Sequence, residues 1–260
     1  MGKPKISVIT VCYNAVDVIE KTILSVTNQT YNNIEFIVVD GGSTDGTISI
    51  IKRYEKQIDK WISEPDEGIY DAMNKGIKMA SGGWLNFMNA GDVFTRSDLL
   101  SDIFSLEIPD NIQFLYSDYW MSLKDGNYYL HRTDRGQGVV HHQSSIYRRS
   151  LHNAYGFYLI QKPYSVYDLL FFLSVPRELF MKIPFEIAKV DGSGISNQGF
   201  WAKERAEAAC VVFGIRTLRS AYFRLLKVII RNSLPFSVRK FVSVFILRHK
   251  IITLEKKFDF

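Results

Sequence analysis

Acidic residues follow three successive apolar segments of the chain. They are Asp40 after IEFIVV, Asp66 with Glu67 after a short run near residue 61, and Asp92 after WLNFM. Carboxylate oxygens bind hard divalent cations. For any one of these acids a solvated loop is the simpler interpretation. Three of them at successive segment ends favour a shared site for a cation and a polar ligand.

The segment after Asp40 is rich in glycine and small polar residues, with the sequence GGSTDGT at 41–47. Glycines let a ligand approach the backbone closely, and Thr or Asp can cap a following helix. The segment matches neither the P-loop nor the G-x-G-x-x-G phosphate pattern. A nucleotide-binding turn and an ordinary strand-to-helix turn therefore both remain open.

Strands and helices alternate in the first half of the chain. Continuous β-branched runs predict buried strands, and apolar residues at helical spacing predict the connections between them. The predicted strands are 6–12, 34–39, a short one around 61–62 and 84–88; the predicted helices contain Val16 to Leu24, begin near Thr44, and cover 69–80. This order requires parallel strands with right-handed crossovers, whose carboxyl ends meet at one edge. We therefore expect the three acidic positions to lie together.

After residue 110 the pattern becomes mixed. IQFLYSD predicts a strand, Asp125-Gly126 predicts a hairpin between 121–123 and 128–130, and 166–175 predicts a helix. We expect an α/β domain over 1–200, with halves at 1–110 and 111–200, and a helical, basic segment over 201–260.

Composition narrows the class of protein. The chain has 260 residues, 47% of them hydrophobic and 23% charged, which argues against disorder. Cys12 and Cys210 are expected to be thiols rather than a disulfide. The sequence shows neither a signal peptide nor a run of 18 apolar residues. We expect a protein that is neither secreted nor membrane-spanning.

Positive charge is concentrated at the C-terminal end. The net charge is +5 overall, but residues 203–260 carry +9, from 13 Lys or Arg and 4 Asp or Glu. Basic residues border an apolar stripe formed by Leu218, Tyr222, Leu225, Leu226, Ile229 and Ile230. This pattern favours helices that lie on an anionic membrane surface, and helices packed on the domain remain the alternative. A basic nucleic-acid-binding protein fits the stripe less well, so no nucleic-acid partner is expected.

The motifs SVITVCYN, SVTNQTY, EFIVVDGGSTDGT and SEPDEGIYDAMNKGIKMASGGWLNFMNAGD resemble the family-2 glycosyltransferases of the GT-A fold. A looser likeness continues through HHQSSIYRR and PYSVYDLLFF, so it covers about residues 4–175. The resemblance implies a GT-A, Rossmann-like fold with a mostly parallel sheet. It also implies an inverting hexosyltransferase that uses a nucleotide-sugar donor and Mn²⁺ or Mg²⁺. A nucleotidyltransferase would need a Gly-rich loop with a Lys after the first strand, and TVCYNA has neither.

The EPDxGIYDAMNKG segment resembles enzymes that assemble bacterial O-antigen or exopolysaccharide repeat units. The resemblance therefore implies a UDP-sugar donor, such as UDP-glucose or UDP-galactose, and a lipid-diphosphate-linked saccharide acceptor. With the basic tail, it leads us to expect a cytoplasmic protein attached peripherally to the inner face of the bacterial plasma membrane.

The resemblance also assigns residues to the site. The residues expected to bind the nucleotide-sugar donor are Thr10, Tyr13, Asn14, Asp40, Asp66, Asn74, Asn89, Ala90 and Gly91. Asp92 is expected to bind the metal, His142 and Gln143 to line the acceptor side, and Asp168 to be the general base. From the residues alone, a helix cap is a simpler interpretation of Asp168 than a catalytic base. The loop 191–199 resembles a donor-covering loop, and a plain surface loop is the alternative.

Two departures from the family pattern affect these assignments. Many family members have two acids where this chain has Asp40-Gly41, and acids where it has Asn89 and Gly91. The missing acid at Gly41 affects the expected recognition of the nucleobase, uracil. The missing acids at Asn89 and Gly91 leave fewer carboxylates to bind a metal ion. Mg²⁺ commonly needs only one or two protein carboxylates when phosphate oxygens and water complete its shell.

Overall fold

The computed structural model describes residues 2–122, 126–135, 140–160 and 167–192. Its strands are β1 (Ile6–Cys12), β2 (Ile34–Asp40), β3 (Lys60–Ser63), β4 (Trp84–Phe87), β5 (Val93–Phe94), β6 (Phe114–Tyr116), β7 (Tyr119–Ser122), β8 (Tyr128–His131), β9 (Ser145–Arg148), β10 (Phe180–Lys182) and β11 (Ala188–Val190). Its α-helices are α1 (Ile19–Thr27), α2 (Thr47–Arg53), α3 (Ile69–Met79), α4 (Leu99–Ile103), α5 (Leu151–Tyr155) and α6 (Tyr167–Ser174). Short 3₁₀ turns cover Glu55–Gln57 and Arg177–Leu179.

The central sheet has seven strands in the order β10-β6-β9-β4-β1-β2-β3. β1 pairs in parallel with β2 on one side and β4 on the other, and β3 continues the parallel part beyond β2. All seven residues of β1 are buried, because helices or a second sheet cover both faces. The predicted alternation of four strands with three helices is confirmed, and Cys12 and Asp40 end β1 and β2 at the same level.

The second half adds antiparallel pairing. β9 runs antiparallel between β4 and β6, and a second sheet has the order β5-β11-β7-β8. The predicted hairpin is confirmed by the antiparallel pairing of β7 with β8, although Asp125 in its turn lies outside the described residues. β5, β10 and β11 have two or three residues each, too few for an alternating pattern to identify.

Two apolar layers enclose the central sheet. Alternate residues of β1 enter them, with Ile6 and Val8 on one side and Ile9 and Val11 on the other. The first layer includes residues of α1, α2 and the second sheet. The second layer includes residues of α3 and α6, so α3 and α6 cover the same face.

The helix boundaries differ slightly from the expected ones. The second helix begins at Thr47 rather than near Thr44, because Asp45 accepts hydrogen bonds from the backbone N–H and the hydroxyl of Thr47. Within the described ranges, no helix is long and apolar enough to cross a membrane. The predicted boundary at residue 200 and the basic stripe lie outside the described residues.

Candidate functional site

Asp40 holds the turn that follows β2. Its side chain is fully buried and accepts hydrogen bonds from the backbone N–H groups of Gly42 and Ser43 at 3.1 and 2.9 Å. The hydroxyls of Ser43 and Ser63 also donate to it. Burial alone would raise the pKa of Asp40, but these hydrogen bonds outweigh burial and hold the pKa below its ordinary value. These hydrogen bonds show that Asp40 holds the backbone of the turn in place. A direct contact between Asp40 and the base or ribose of a donor stays a prediction, and the burial of the Asp40 side chain argues against it.

Asp66 lies against Gly41, although twenty-five positions separate them. A Cβ at Gly41 would overlap the Asp66 carboxylate, and Tyr13 lies on the same side at van der Waals distance. Asp66 is partly exposed and accepts a 2.8 Å hydrogen bond from the backbone N–H of Gly68 before α3. The carboxylate of Asp66 thus lies beside Gly41, the position where many members of the family that the sequence resembles have a second acid.

The loop after β1 presents an aromatic ring to solvent. Tyr13 is 64% exposed, and Asn14 follows it with a left-handed φ of 46°. The backbone N–H of Asn14 donates to the Ser43 hydroxyl, and its side-chain oxygen accepts from the backbone N–H of Thr44. The loops after β1 and β2 therefore form one surface. Thr10 is buried beneath it and donates to the Met88 carbonyl at 2.8 Å.

The turn after β4 buries Asp92. Gly91 has a φ of 100°, a conformation that favours glycine, and its N–H donates to the Thr22 hydroxyl. One carboxylate oxygen of Asp92 accepts from the side-chain amide of Gln143, and the other accepts from the backbone N–H of Asp191, both at 2.9 Å. Burial raises the pKa of Asp92 to about 6, and the two hydrogen bonds partly offset that effect.

These residues can accommodate a hard divalent ion if a ligand supplies further oxygens. Asp92 retains lone pairs beyond its two hydrogen bonds, and Asp191 places a second carboxylate next to Gly91. The buried side-chain oxygen of Asn89, in the same turn, has no hydrogen-bond partner. In the part of the chain that the structure describes, no three His, Cys, Asp or Glu side chains form a metal-binding group. Two carboxylates with phosphate oxygens and water suit Mg²⁺ or Mn²⁺.

Asp168 lies in the first turn of α6 and is held at both carboxylate oxygens. The hydroxyl of Tyr70 donates to one oxygen at 2.8 Å, and Nδ1 of His142 donates to the other at 2.9 Å. Nε2 of His142 in turn lies 2.9 Å from the side-chain amide nitrogen of Asn89. Burial would raise the pKa of Asp168, but the bonds from His142 and Tyr70 hold it below its ordinary value. A continuous chain of polar contacts thus joins the β4 turn to Asp168.

Ten of the thirteen predicted residues fall into three groups, while Thr10 and Asp40 are fully buried beneath the strand-end loops. Tyr13, Asn14 and Asp66 lie at the open strand-end surface; Asn89, Ala90, Gly91 and Asp92 form the β4 turn; His142, Gln143 and Asp168 connect to that turn. Asn74 differs from the rest. Its side chain is buried in α3 and exchanges two hydrogen bonds with the backbone of Tyr158. A contact between Asn74 and the sugar donor stays a prediction. The observed hydrogen bonds of Asn74 hold the segment after α5 against α3.

Two residues of the site were not predicted for the roles that the geometry suggests. Tyr70 belongs to the recognised EGIYDAMNKG segment, but its partner Asp168 is 98 positions away. Asp191 reaches Asp92 from the end of β11, which carries too weak a strand signal to place it. From the sequence, Asp191 is part of the loop 191–199, most of which lies outside the described residues, and with Glu178 it is an alternative to Asp168 as the general base.

Comparisons with known proteins agree with this architecture. The family model described as Glycosyl transferase family 2 matches residues 7–153. The uncharacterized glycosyltransferase Rv1514c of Mycobacterium tuberculosis is 43% identical over 99 residues, which are 38% of this chain and 38% of that protein. The putative teichuronic acid biosynthesis glycosyltransferase TuaG of Bacillus subtilis is 37% identical over 128 residues, 48% of this chain and 50% of that one. The matched region thus spans half or less of each of these two relatives.

Among solved structures, TarS residues 1–349 of S. aureus in complex with UDP-GlcNAc superposes with a TM-score of 0.67 at 17% identity. The match covers 90% of this chain and 77% of that one. At this identity the likeness concerns the fold, which is the predicted GT-A arrangement with a mostly parallel central sheet.

Proposed function

The chain belongs to glycosyl transferase family 2, and we propose that it transfers a sugar from a nucleotide-diphosphate donor to a saccharide hydroxyl with inversion. The observation that carries this proposal is the contact chain Asn89–His142–Asp168, which joins the β4 turn to a partly buried carboxylate. A donor-side turn and an acid on the acceptor side are the two parts that direct displacement requires.

The donor would occupy the surface formed by the loops after β1, β2 and β3. The exposed ring of Tyr13 offers a face for a nucleobase, and the partly exposed Asp66 carboxylate can accept hydrogen bonds from a base or ribose. A UDP-sugar, such as UDP-glucose or UDP-galactose, is the donor proposed here. The structural neighbour TarS in complex with UDP-GlcNAc makes a uridine nucleotide a reasonable first choice.

Asp92, with Asp191 beside it, would hold Mn²⁺ or Mg²⁺ near the donor diphosphate. When bound, such an ion offsets the charge that builds on the leaving diphosphate. Burial raises the pKa of Asp92, and the neighbouring Asp191 carboxylate adds to that effect. A bound cation would offset both effects.

Asp168 would act on the acceptor. Its carboxylate takes the proton of the acceptor hydroxyl while the oxygen forms a bond to the anomeric carbon, and the bond from that carbon to the diphosphate breaks with its electron pair leaving on phosphate. His142 and Gln143 would line this side. His142 fixes the orientation of Asp168, and Gln143 bonds Asp92, so the pair couples the acceptor side to the donor side.

The proposed acceptor is a lipid-diphosphate-linked saccharide of O-antigen or a related surface polysaccharide. TuaG, whose name refers to teichuronic acid biosynthesis, supports a role in polymer assembly. The proposed location is the cytoplasmic face of the bacterial plasma membrane, with the basic segment 201–260 in contact with anionic lipid.

A donor screen tests the proposal directly. The purified chain is titrated with UDP-, GDP- and TDP-sugars with and without Mn²⁺, and slow hydrolysis of each donor is followed. We expect one nucleotide class to bind in a Mn²⁺-dependent manner and to be hydrolysed slowly. Failure of every nucleotide sugar to bind would contradict the proposed function.

A further inference from the structure

Exposed apolar side chains cluster in one short segment after α5. Tyr155, Phe157, Leu159 and Ile160 are between 37% and 57% exposed. We call these four residues the 155–160 patch. They are four of the nine large apolar side chains that are exposed in the described part of the chain. Clusters of this kind mark interaction surfaces more often than single exposed residues do.

The patch has a fixed backbone. Tyr158 lies in its middle and is 3% exposed, and its backbone N–H and carbonyl both bond the Asn74 side chain. The Tyr158 hydroxyl lies 2.7 Å from that of Tyr147. Because Tyr158 is anchored inward, Phe157 and Leu159 on either side of it are held at the surface. A rigid apolar surface loses little conformational entropy when a partner covers it.

One face of α3 links the patch to the proposed base. Tyr70, Asn74 and Lys78 are four residues apart, and such residues lie on one side of a helix. Tyr70 donates to Asp168, Asn74 holds Tyr158, and the Lys78 ammonium lies 5.6 Å from the Phe157 ring centroid. Eight residues of helix span about 12 Å. The patch therefore lies close to the acceptor side of the site.

The sequence around the patch is free of acidic residues. Residues 135–167 contain no Asp or Glu. Lys78 is exposed beside it. Aromatic and aliphatic side chains bordered by basic groups are typical of surfaces that enter an anionic membrane interface. This charge fits an anionic bilayer surface and disfavours a second, equally basic copy of the chain.

We propose that the 155–160 patch inserts into the interface of an anionic bilayer and thereby brings Asp168 to a lipid-linked acceptor. The membrane contact is independent of the tail. The benefit to catalysis rests on the proposed function. Phe157 and Leu159 enter the acyl boundary, while Lys78 stays at the headgroup level. Chemically, the ligand is the bilayer surface itself rather than a free phosphate.

A site-specific probe tests this contact in the full chain. Leu159→Cys is labelled with nitrobenzoxadiazole in a Cys210→Ser background, where the remaining Cys12 is buried. Leu24→Cys, at an exposed apolar position of α1, is the matched control. Vesicles of phosphatidylcholine with phosphatidylglycerol should shift the Leu159 probe to the blue and brighten it, and should leave the Leu24 probe unchanged. Phosphatidylcholine alone and free glycerol phosphate should have little effect on either probe.

A second measurement compares binding strength. Phe157→Gln with Leu159→Gln should lower the vesicle partition coefficient roughly tenfold or more, because two apolar side chains lose their burial in lipid. Leu24→Gln should not. If the protein sediments with vesicles while the Leu159 probe stays unchanged, the tail alone makes the contact and the inference is overturned. A probe response that depends on protein concentration without lipid would overturn it in favour of a second copy. The donor screen measures nucleotide-sugar binding in the absence of lipid. Neither of these results would therefore contradict the proposed function.

Discussion

The hydroxyl of Tyr70 donates a 2.8 Å hydrogen bond to Asp168, across 98 positions of sequence. The bond is partly buried, and the Tyr70 ring packs edge-on against Tyr167 and at a tilt against Tyr158. Burial, followed by the nearby Asp168 charge, raises the pKa of Tyr70 well above its ordinary value. Tyr70 therefore remains a neutral donor over the working pH range and favours the charged form of Asp168.

Tyr70→Phe should shift the pH dependence of transfer. Without this donor the pKa of Asp168 rises, so the acid limb of the kcat/KM profile moves to higher pH. Near neutral pH Asp168 stays ionised in both proteins, so we expect kcat to fall there only because Asp168 loses one of its two orienting hydrogen bonds, and the KM for the donor to stay constant. Tyr158→Phe removes a similar buried hydroxyl, which bonds Tyr147 instead of Asp168. It should lower stability and leave the pH profile in place. Equal profiles for Tyr70→Phe and the native chain would show that Tyr70 has only a packing role.

Asp168→Asn removes the proposed base while keeping its shape. General-base catalysis contributes roughly 10²- to 10⁴-fold, so kcat for transfer should fall by about that factor. Donor binding should be unchanged, because Asp168 contacts His142 and Tyr70 rather than the strand-end loops. Calorimetric titration with the donor and single-turnover transfer separate the two effects. Near-native turnover would assign proton removal to another acid.

The sequence predicted the parallel half of the fold because its strands are long and buried on both faces. β1 and β2 have seven residues each, and their apolar runs leave little choice of element type. The carboxyl-end position of Asp40, Asp66 and Asp92 then follows from the crossover rule. The pairing of Tyr70 with Asp168 does not follow, because it depends on α3 and α6 covering the same face of the sheet. Local periodicity contains no information about that arrangement.

The hydrogen bond from Asp191 to Asp92 also could not be predicted from the sequence. It requires β11 to join a second sheet beside the β4 turn, and β11 has only three residues. The sequence also could not predict that Asp40 and Asn74 form hydrogen bonds within the protein. A residue of a binding motif can contact the ligand itself, or it can hold in place the backbone that contacts the ligand. Only the positions of neighbouring donors, such as Ser63 for Asp40, distinguish these roles.

Asp92→Asn should remove most transfer activity, and chelation with EDTA should do the same to the native chain. The variant loses the negative charge that would hold a divalent ion near the donor diphosphate. Mn²⁺-dependent binding of the nucleotide, followed by Mn²⁺ relaxation enhancement, should weaken in parallel. Asp110→Asn, at an exposed acid, is the control and should bind as the native chain does. Full activity of either preparation in metal-free buffer would contradict the role of Asp92.

Glu35 forms a buried ionic cluster at the opposite edge of the sheet. Its side chain is only 4% exposed, and it accepts hydrogen bonds from the Ser7 and Ser81 hydroxyls and from the Lys60 ammonium. Burial would raise the pKa of Glu35, but these donors and the backbone N–H of Ser81 outweigh it and hold the pKa far below its ordinary value. The cluster joins β1, β2 and β3 where they begin, away from the carboxyl-end site.

Glu35→Gln should destabilise the fold without changing donor affinity. Glu35→Gln removes the carboxylate that Lys60 pairs with, although the Lys60 ammonium keeps its bond to the Met79 carbonyl, and it replaces an acceptor by an amide, a loss of about 1–3 kcal/mol at pH 7. Since the pKa of Glu35 is depressed in the folded state, its contribution is complete above the unfolded value of about 4.3 and is lost as pH falls toward the folded value. Urea unfolding at pH 7 should therefore show a large difference between variant and native chain, and the difference should shrink below about pH 4. Glu107→Gln, at an exposed acid, should show little effect at either pH. A difference that stayed constant through acid pH would mean that Glu35 contributes packing rather than charge.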